Sequence, residues 1–424
     1  MSDLATIEPA TDDILIADRP ETAELLDSPP EQVRPSVAFR NKWGKLPPFP
    51  RPWRHPLRAI GWIIRTLFGL VSLTLLLAVV AAVPILNFIA LGYLLEAEGR
   101  VARTGKLRRS LPLLNLAPRI GTIALGIWIC LLPLRFIGSM TSDAAIIDPG
   151  SAIDGRMRAL ALIAWAVLTV HICLALARGG SPSCFLRPIR NFRWLRSRLR
   201  DGDYFAVAAT NIRQFVRRLR IRHHFWLGLR GFVGAFLWLL PPTILYAAVD
   251  RSDPGPIIIS VLGGLGLVIV FGWVPFLQAH FAATERIGAF RELKTVRTLF
   301  RYAPLSWLLA LVLVYALALP LYLFKVALPP QDAMWGITLV FLVSIFPARM
   351  VTGWAYAQAV RRAREDRPAH WTFRWGARLA AVPLLAAYVF ILYFTQFIGA
   401  HGKGVLYEHH AFLLPWPAFL SLGS

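Results

Sequence analysis

Charged side chains are scarce in this sequence. They make up 17% of the 424 residues, whereas 56% are hydrophobic and the mean hydropathy is +0.54. Soluble domains carry about 25% charged residues, so the composition excludes a chain of water-soluble globular domains. The three cysteines are too few for a disulfide framework. Two of them, Cys130 and Cys173, fall in apolar segments, where a thiol behaves as a small hydrophobe, and we expect no redox role for any of the three.

Signatures of catalysis are also lacking. Ser, His and Asp are nowhere placed as a recognisable nucleophile set. Glu408, His409 and His410 are adjacent in sequence, without the helical i,i+4 spacing or the second cluster that a metal site needs. The glycines of 263–266 lie within an apolar run, where they favour close helix packing and not phosphate binding. We therefore expect no enzyme activity, no cofactor and no bound metal.

Long apolar segments dominate what is present. A membrane span needs about 20 apolar residues, because 1.5 Å of rise per residue must cover a hydrocarbon core of roughly 30 Å. Eight segments meet this requirement: 66–95, 120–139, 158–177, 231–249, 257–282, 305–328, 335–358 and 379–400. The sequence predicts an all-α, polytopic transmembrane helical bundle with amphipathic interfacial helices.

The remaining segments divide the chain by charge. Residues 1–33 carry nine carboxylates and one arginine, which predicts a disordered acidic tail over 1–39. Seven basic residues mixed with aromatics then predict a juxtamembrane segment over 40–65. Membrane helices are expected over 66–177 and 231–400, on either side of an Arg-rich cytoplasmic loop at 178–230. An extracytoplasmic interfacial tail is expected at 401–424.

The connections between spans alternate in basic charge. Four of them, 96–119, 178–230, 284–304 and 361–378, hold 30 lysines and arginines, and the four alternate segments hold 4. Basic loops remain on the cytoplasmic side of a membrane, so we expect the first set to be cytoplasmic and the C-terminus extracytoplasmic. The setting that we expect is the cytoplasmic (inner) membrane of a prokaryote, crossed many times.

The start of the chain conflicts with this alternation. If 66–95 is one span, the basic stretch 40–65 lies outside while 96–119 lies inside. If both stretches are cytoplasmic, the chain must turn back within 57–95, with Pro84 breaking it into a hairpin. A broken segment is tolerated at membrane depth only where protein covers its backbone. We favour the hairpin and a cytoplasmic N-terminus.

The residues around this proline carry a resemblance. The run Pro84-Ile85-Leu86-Asn87-Phe88, followed by Gly92-Tyr93-Leu94, a basic helix and Leu111-Pro112, resembles a family of uncharacterised prokaryotic integral membrane proteins. The shared pattern is Pro-x-x-Asn-Phe, Gly-Tyr and Leu-Pro, and it covers about residues 66–135. Family members usually have acidic and tryptophan residues after the Leu-Pro, where this chain reads Leu113-Leu114-Asn115-Leu116. The resemblance implies a helical membrane fold and no particular chemistry.

The loop 178–230 is the largest cytoplasmic feature. Its arginines alternate with aromatic and aliphatic residues at helical spacing, which predicts two amphipathic helices joined by a turn at 201–203. Such faces bind anionic lipid at about 1 kcal/mol per basic residue; the alternative is that these charges only fix the topology. The candidate lipid-surface residues are Arg193, Arg196, Arg200, Arg213, Arg217 and Arg218. The formal charge of +22 does not indicate nucleic-acid binding, because the basic residues lie mainly between spans.

Polar residues within the spans are the candidates for a ligand site. Ionisable groups in hydrocarbon are costly and are functional candidates by default. Arg349, two residues past Pro347, is a candidate for an anionic ligand or for a partner carboxylate, and His171 for a hydrogen bond or a proton. Asn87 and Gln278 are further candidates, and interhelical hydrogen bonds are the alternative for all four.

These observations support two functional hypotheses. In the first, the protein is a non-enzymatic membrane protein that binds or moves a lipid-like or small anionic molecule. In the second, it is a membrane scaffold or assembly factor whose basic loops recruit anionic lipid or acidic protein partners. Both hypotheses name membrane lipids as partners.

Overall fold

The computed structural model describes residues 50, 53–107, 110–249, 256–323, 334–398 and 402–414. These residues form α-helices, short 3₁₀ turns and connections, and they contain no strand. The predicted all-α fold is confirmed. The predicted acidic tail, 1–39, lies outside the described residues.

Fourteen α-helices follow one another along the described chain. In order they are α1 (Pro56–Ala82), α2 (Asn87–Thr104), α3 (Ala117–Ile147), α4 (Ala152–Ala177), α5 (Pro182–Phe185), α6 (Pro188–Arg200), α7 (Tyr204–Leu219), α8 (Ile221–Tyr246), α9 (Ile257–Thr284), α10 (Leu293–Phe300), α11 (Pro304–Leu323), α12 (Met334–Arg364), α13 (Trp371–Thr395) and α14 (His410–Leu413). Eight stretches are long and apolar enough to cross a membrane: α1, α3, α4, α7 with α8, α9, α11, α12 and α13. The predicted number of spans is confirmed, and the chain is a multi-pass membrane protein.

The predicted first span, 66–95, is not one helix. Its first half belongs to α1, which begins at Pro56 within the predicted juxtamembrane segment, and α2 is a separate helix. Pro84 explains the break, because a residue before proline is driven out of the α conformation. Val83 accordingly has φ −95° and ψ 127°.

The two helices on either side of this break form a hairpin. Leu73 of α1 and Tyr93 of α2 belong to one buried cluster. In a continuous helix these residues would lie about 30 Å apart, so α2 must turn back along α1. The hairpin is therefore the correct alternative, and both of its outer ends lie at the same end of the molecule.

The basic connections meet at one end of the bundle, which we call the basic end. Three contacts between connections define it: Arg119 to the carbonyl of Gly179, Arg103 to Glu285, and the amide of Ala369 to the carbonyl of Arg301. Because the spans from α3 onward run in alternate directions, the connections α3–α4 and α8–α9 lie at the opposite end. The bundle thus concentrates its cationic side chains at one end.

Helices α2, α8 and α9 form the centre of the bundle. A Cβ added at Gly92 of α2 would lie 1.7 Å from the carbonyl oxygen of His224 in α8, and one added at Gly228 would lie 1.8 Å from that of Phe88. Only glycine permits backbones to approach this closely. The close approach places α2, with its two carboxylates Glu96 and Glu98, inside the protein.

The Arg-rich loop folds into helices, and the last of them continues past its predicted C-terminal boundary at residue 230. Helices α6 and α7 form where two helices were predicted, with the turn at 201–203 between them. Residues 221–230 of the predicted loop belong to α8, which begins at Ile221. Arg220 separates α7 from α8 with a left-handed conformation, φ 50° and ψ 36°.

The C-terminal segment enters the bundle. Residues 402–407 form a 3₁₀ turn, α14 follows, and Leu406, Phe412 and Leu414 are at most 2% exposed. The prediction of an interfacial tail is therefore wrong for 402–414. Residues 415–424 lie outside the described residues.

Candidate ligand-binding groove at the basic end

A groove of about 820 Å³ opens at the basic end, in the angle between α7 and α8. The left-handed residue Arg220 creates this angle, because it stops α7 and starts α8 in a new direction. The lining residues are Val216, Arg217, Arg220, Ile221, Arg222, His223, Trp226, Leu227, Arg230 and Glu285. The groove therefore combines a cationic lining with aliphatic and aromatic surface.

One face of α8 supplies the length of the groove. Arg222, Trp226 and Arg230 follow one another at intervals of four residues, so they lie above one another on the same helix face. The two guanidinium groups start from Cα atoms about 12 Å apart along the axis. The indole between them gives this face an apolar centre.

Three of the lining arginines have uncompensated charge. Within the residues that the structure describes, Arg217, Arg222 and Arg230 have no carboxylate within ion-pair distance, and all three are exposed. Cations with no internal partner are available to an external anion. They therefore make the groove attractive for anionic groups.

Glu96 lies at the base of the groove and compensates part of its charge. It pairs with Arg100 at 2.9 Å, with Arg220 at 3.5 Å and with His223 at 3.2 Å. Because Glu96 is 3% exposed and two guanidinium groups and one imidazole approach its carboxylate, it anchors the start of α8 onto α2. The anchored helix then holds Arg222 and Arg230 in place.

Glu96, His223 and Glu285 place three ligand atoms within 4.8 Å of one another. This arrangement resembles a metal site in its spacing only. Arg100 and Arg220 contact the first carboxylate, and Arg103 contacts Glu285 at 3.5 Å. A divalent cation would have to displace these guanidinium groups in a region of excess positive charge, so the cluster favours ion pairing.

The predicted lipid-surface arginines lie along α6 and α7. In the structure Arg218 is half-buried, and the other five are exposed: Arg193, Arg196, Arg200, Arg213 and Arg217. Among the six, Arg217 lines the groove and the others do not. Large apolar residues on the same two helices are also exposed, with Phe192 at 64% and Phe205 at 80%. Such surface is suited to the membrane interface.

Two of the predicted interior candidates come together. Arg349 pairs with Glu98 at 2.9 Å and donates hydrogen bonds from Nη2 to the carbonyl oxygens of Ala411 and Phe412, at 3.0 and 3.1 Å. Gln278 donates to the same Phe412 oxygen at 3.0 Å. Arg349 thus has the partner carboxylate that the sequence offered as one alternative, and it is buried.

The other two interior candidates lie elsewhere. His171 makes a 2.9 Å hydrogen bond with the carbonyl of Phe185, which joins α4 to the short helix α5. Asn87 is buried at the first position of α2. Neither residue lines the groove.

A polar chain at the end of α9 was not predicted. His280 links two polar groups: its Nε2 donates to a carboxylate oxygen of Glu292 at 2.7 Å, and its Nδ1 is hydrogen-bonded to the hydroxyl of Tyr356, also at 2.7 Å. The hydrogen bond from His280 lowers the pKa of Glu292, and Arg286 adds to the effect. The chain ties α9 and α12 to the connection after α9.

The groove residues on α8 were also missed by the sequence interpretation. Arg222, Trp226 and Arg230 lie within the predicted loop 178–230, and their i,i+4,i+8 spacing is a helical signal that is present in the sequence. Glu98 gave no comparable signal, because its partner Arg349 is 251 residues away.

No protein-family model, curated protein or solved structure matches this chain. The fold and the site therefore rest on the residues themselves. The resemblance over 66–135 stays a prediction.

Proposed function

We propose that this protein binds an anionic, lipid-like molecule in the groove between α7 and α8, as a non-enzymatic component of the membrane. The observation that carries the proposal is the row of Arg222, Trp226 and Arg230 along α8, together with Arg217 of α7. Among the described residues, none of the three arginines in this set pairs with a carboxylate. Guanidinium groups suit phosphate and carboxylate, and the indole suits an acyl chain or a glycerol backbone.

The magnitude of the attraction is adequate for retention. Basic groups near an anionic membrane surface contribute about 1 kcal/mol each, so three unpaired arginines give roughly 3 kcal/mol, or a factor of about 150. Burial of apolar surface on Trp226, which is 45% exposed, adds to this at about 25 cal/mol per Å². A ligand with both a charged head and an apolar part is favoured over a free inorganic anion.

The membrane setting follows from the same charges. Basic connections face the cytoplasm in membrane proteins, which places the basic end, the groove and the N-terminal side of α1 on the cytoplasmic face. In this orientation the groove opens to the inner leaflet of a prokaryotic cytoplasmic membrane. Lipids of that leaflet are its nearest source of ligand.

Native mass spectrometry tests the proposal directly. The protein is extracted in mild detergent, and the species that remain bound are identified by mass. We expect one anionic lipid or amphiphilic metabolite at defined stoichiometry. A heterogeneous mixture that mirrors the bulk lipid would contradict a specific site.

Paired variants locate the site. Arg222→Gln with Arg230→Gln removes two charges from the groove, and Arg193→Gln with Arg196→Gln removes two from α6. The groove variant should lose retained ligand by about tenfold or more, since each contact contributes about 1 kcal/mol, while the α6 variant retains it. Equal loss in both would assign the binding to the general basic surface.

The exposed face of α6 and α7 favours the scaffold as a second candidate. Arg193, Arg196, Arg200 and Arg213 of this face are exposed and lie outside the groove, so they are available to acidic partners or anionic lipid. Replacement of Arg193, Arg196, Arg200 and Arg213 by glutamine should release any co-purifying protein if this candidate is correct. Retention of that protein at the same level would exclude it.

A further inference from the structure

The C-terminal segment Gly402–Leu414 lies among the helices. Side chains of α8, α9 and α12 form hydrogen bonds with polar groups of this segment. From the opposite end of the bundle it reaches Thr243 of α8 through His409, at 3.0 Å, and then Gln278 and Arg349 through the carbonyl of Phe412. Since Gln278 is seven residues beyond Phe271, whose ring packs against that of His409, the segment runs inward along α9. It crosses the middle of the bundle.

The contacts with Arg349 and Gln278 make a small cradle for oxygen atoms. Nη2 of Arg349 and Nε2 of Gln278 converge on the carbonyl oxygens of Ala411 and Phe412. The charge of Arg349 is balanced by Glu98, so the cradle as a whole is neutral and offers hydrogen-bond donors. Neutral oxygen acceptors such as backbone carbonyls are what it suits.

Two features show that the buried position of residues 402–414 has a cost in free energy. Leu414 has φ 60° and ψ 164°, a region that is almost restricted to glycine, although the residue is 1% exposed. Strain of this kind persists where the surroundings impose it and is concentrated at clamps and switches.

The second feature is incomplete hydrogen bonding. The hydroxyl hydrogen of Thr243 goes to the carbonyl of Leu239, so His409 donates from Nε2 and its Nδ1 is an acceptor. That Nδ1 and Nε of Arg349 are buried with no partner among the described residues. Buried polar atoms of this kind are ordinarily paired with protein or with water.

We propose that residues 402–414 are a movable plug, and that the cradle beneath it takes a small polar solute with an oxygen acceptor when the plug leaves. Departure of the plug relieves the conformation of Leu414 and admits water to the unpaired atoms. It also exposes Thr243, Gln278 and Arg349, which the plug contacts, to the space that it leaves. This proposal is independent of the groove at the basic end.

Hydrogen exchange of the full chain in lipid nanodiscs tests whether the plug moves. Amides of 402–414 should exchange at least about tenfold faster than those of 267–282, the part of α9 that faces the plug. Equal protection of the two segments would overturn the proposal, because the plug would then open only with the bundle.

A metal lock tests what the movement admits. With the three native cysteines replaced by serine, Thr243→Cys places a thiol beside Nε2 of His409, at a spacing that suits a bridging Cd²⁺ ion. Thr243→Ser retains the hydroxyl and is the matched control. Cd²⁺ should slow the exchange of 402–414 in the cysteine variant alone, and a chelator should restore it.

Urea, a small neutral solute with a carbonyl oxygen, is the probe for the cradle. Proteoliposomes of the Thr243→Cys variant should take up labelled urea above the rate of protein-free vesicles, and Cd²⁺ should abolish the difference. The serine control should be unaffected by Cd²⁺. Uptake that is no faster than in protein-free vesicles, or that Cd²⁺ does not change in the cysteine variant, would overturn the proposal.

Discussion

Arg349 and Glu98 illustrate how a buried charge in this protein is used for structure. Both side chains are almost fully buried, and each is the nearest compensation for the other. Replacing a buried ion pair as a whole is often tolerated, whereas removal of one partner leaves a charge in a low-dielectric environment. The two kinds of substitution should therefore differ in their effect on stability.

Arg349→Met should destabilise the protein by about 3–5 kcal/mol, and the double change Glu98→Gln with Arg349→Met by clearly less. Thermal unfolding in nanodiscs measures both, with Arg193→Met as a control at an exposed position. Equal destabilisation by the single and double variants would show that the ion pair is not what holds α2 to α12.

Helix α2 is the element on which the packing depends most. It lies between α8, α9 and α12, and glycines on α2 and α8 bring the two backbones together at Gly92 and Gly228. Apolar side chains gain little by leaving lipid for protein, so helix association in membranes relies on close packing and on polar contacts. A single methyl group at this crossing therefore has a large effect.

Gly92→Ala should destabilise the bundle by more than about 2 kcal/mol, because its Cβ would overlap the backbone of α8. Gly61→Ala, on α1 with no atom within 4 Å of the added Cβ, is the control, and it should be neutral or stabilising by up to about 1 kcal/mol. Unfolding in nanodiscs compares the two variants. Similar values for both would contradict the tight crossing.

The charge of the whole molecule is distributed asymmetrically, with the basic side chains concentrated at one end of the bundle. The hairpin of α1 and α2 returns the chain to the end from which it started, and the basic connections gather at that end. This arrangement removes the conflict at the start of the sequence. It also predicts which residues face each side of the membrane.

His55, just before α1, should be on the cytoplasmic side, and Asp148, between α3 and α4, on the outside. In a chain with serine at the native cysteine positions, Asp148→Cys should react with a membrane-impermeant thiol reagent in intact cells. His55→Cys should react only after the cells are opened. The reverse pattern would invert the orientation, and reaction of both in intact cells would exclude the hairpin.

Local composition predicted the spans and their number, because each span is an apolar run long enough to be recognised without knowledge of its neighbours. The break at Pro84 was predicted for the same reason, since proline acts on the residue next to it. The groove was not predicted, because it depends on the bend at Arg220 and on which arginines Glu96 neutralises. The buried course of 402–414 was not predicted either, because its contacts are made with helices far away in sequence.

Helix α2 also constrains how the protein is made. Its carboxylate Glu98 leaves the ribosome 251 residues before Arg349, which at about 5–20 residues per second is roughly 13–50 s. Helices α8 and α9 are made within that interval, before α12, so α2 is at first uncovered and Glu98 lacks its partner Arg349 throughout. Until α12 is made, the unpaired charge of Glu98 must be removed by protonation, or the insertion machinery must keep α2 out of the hydrocarbon.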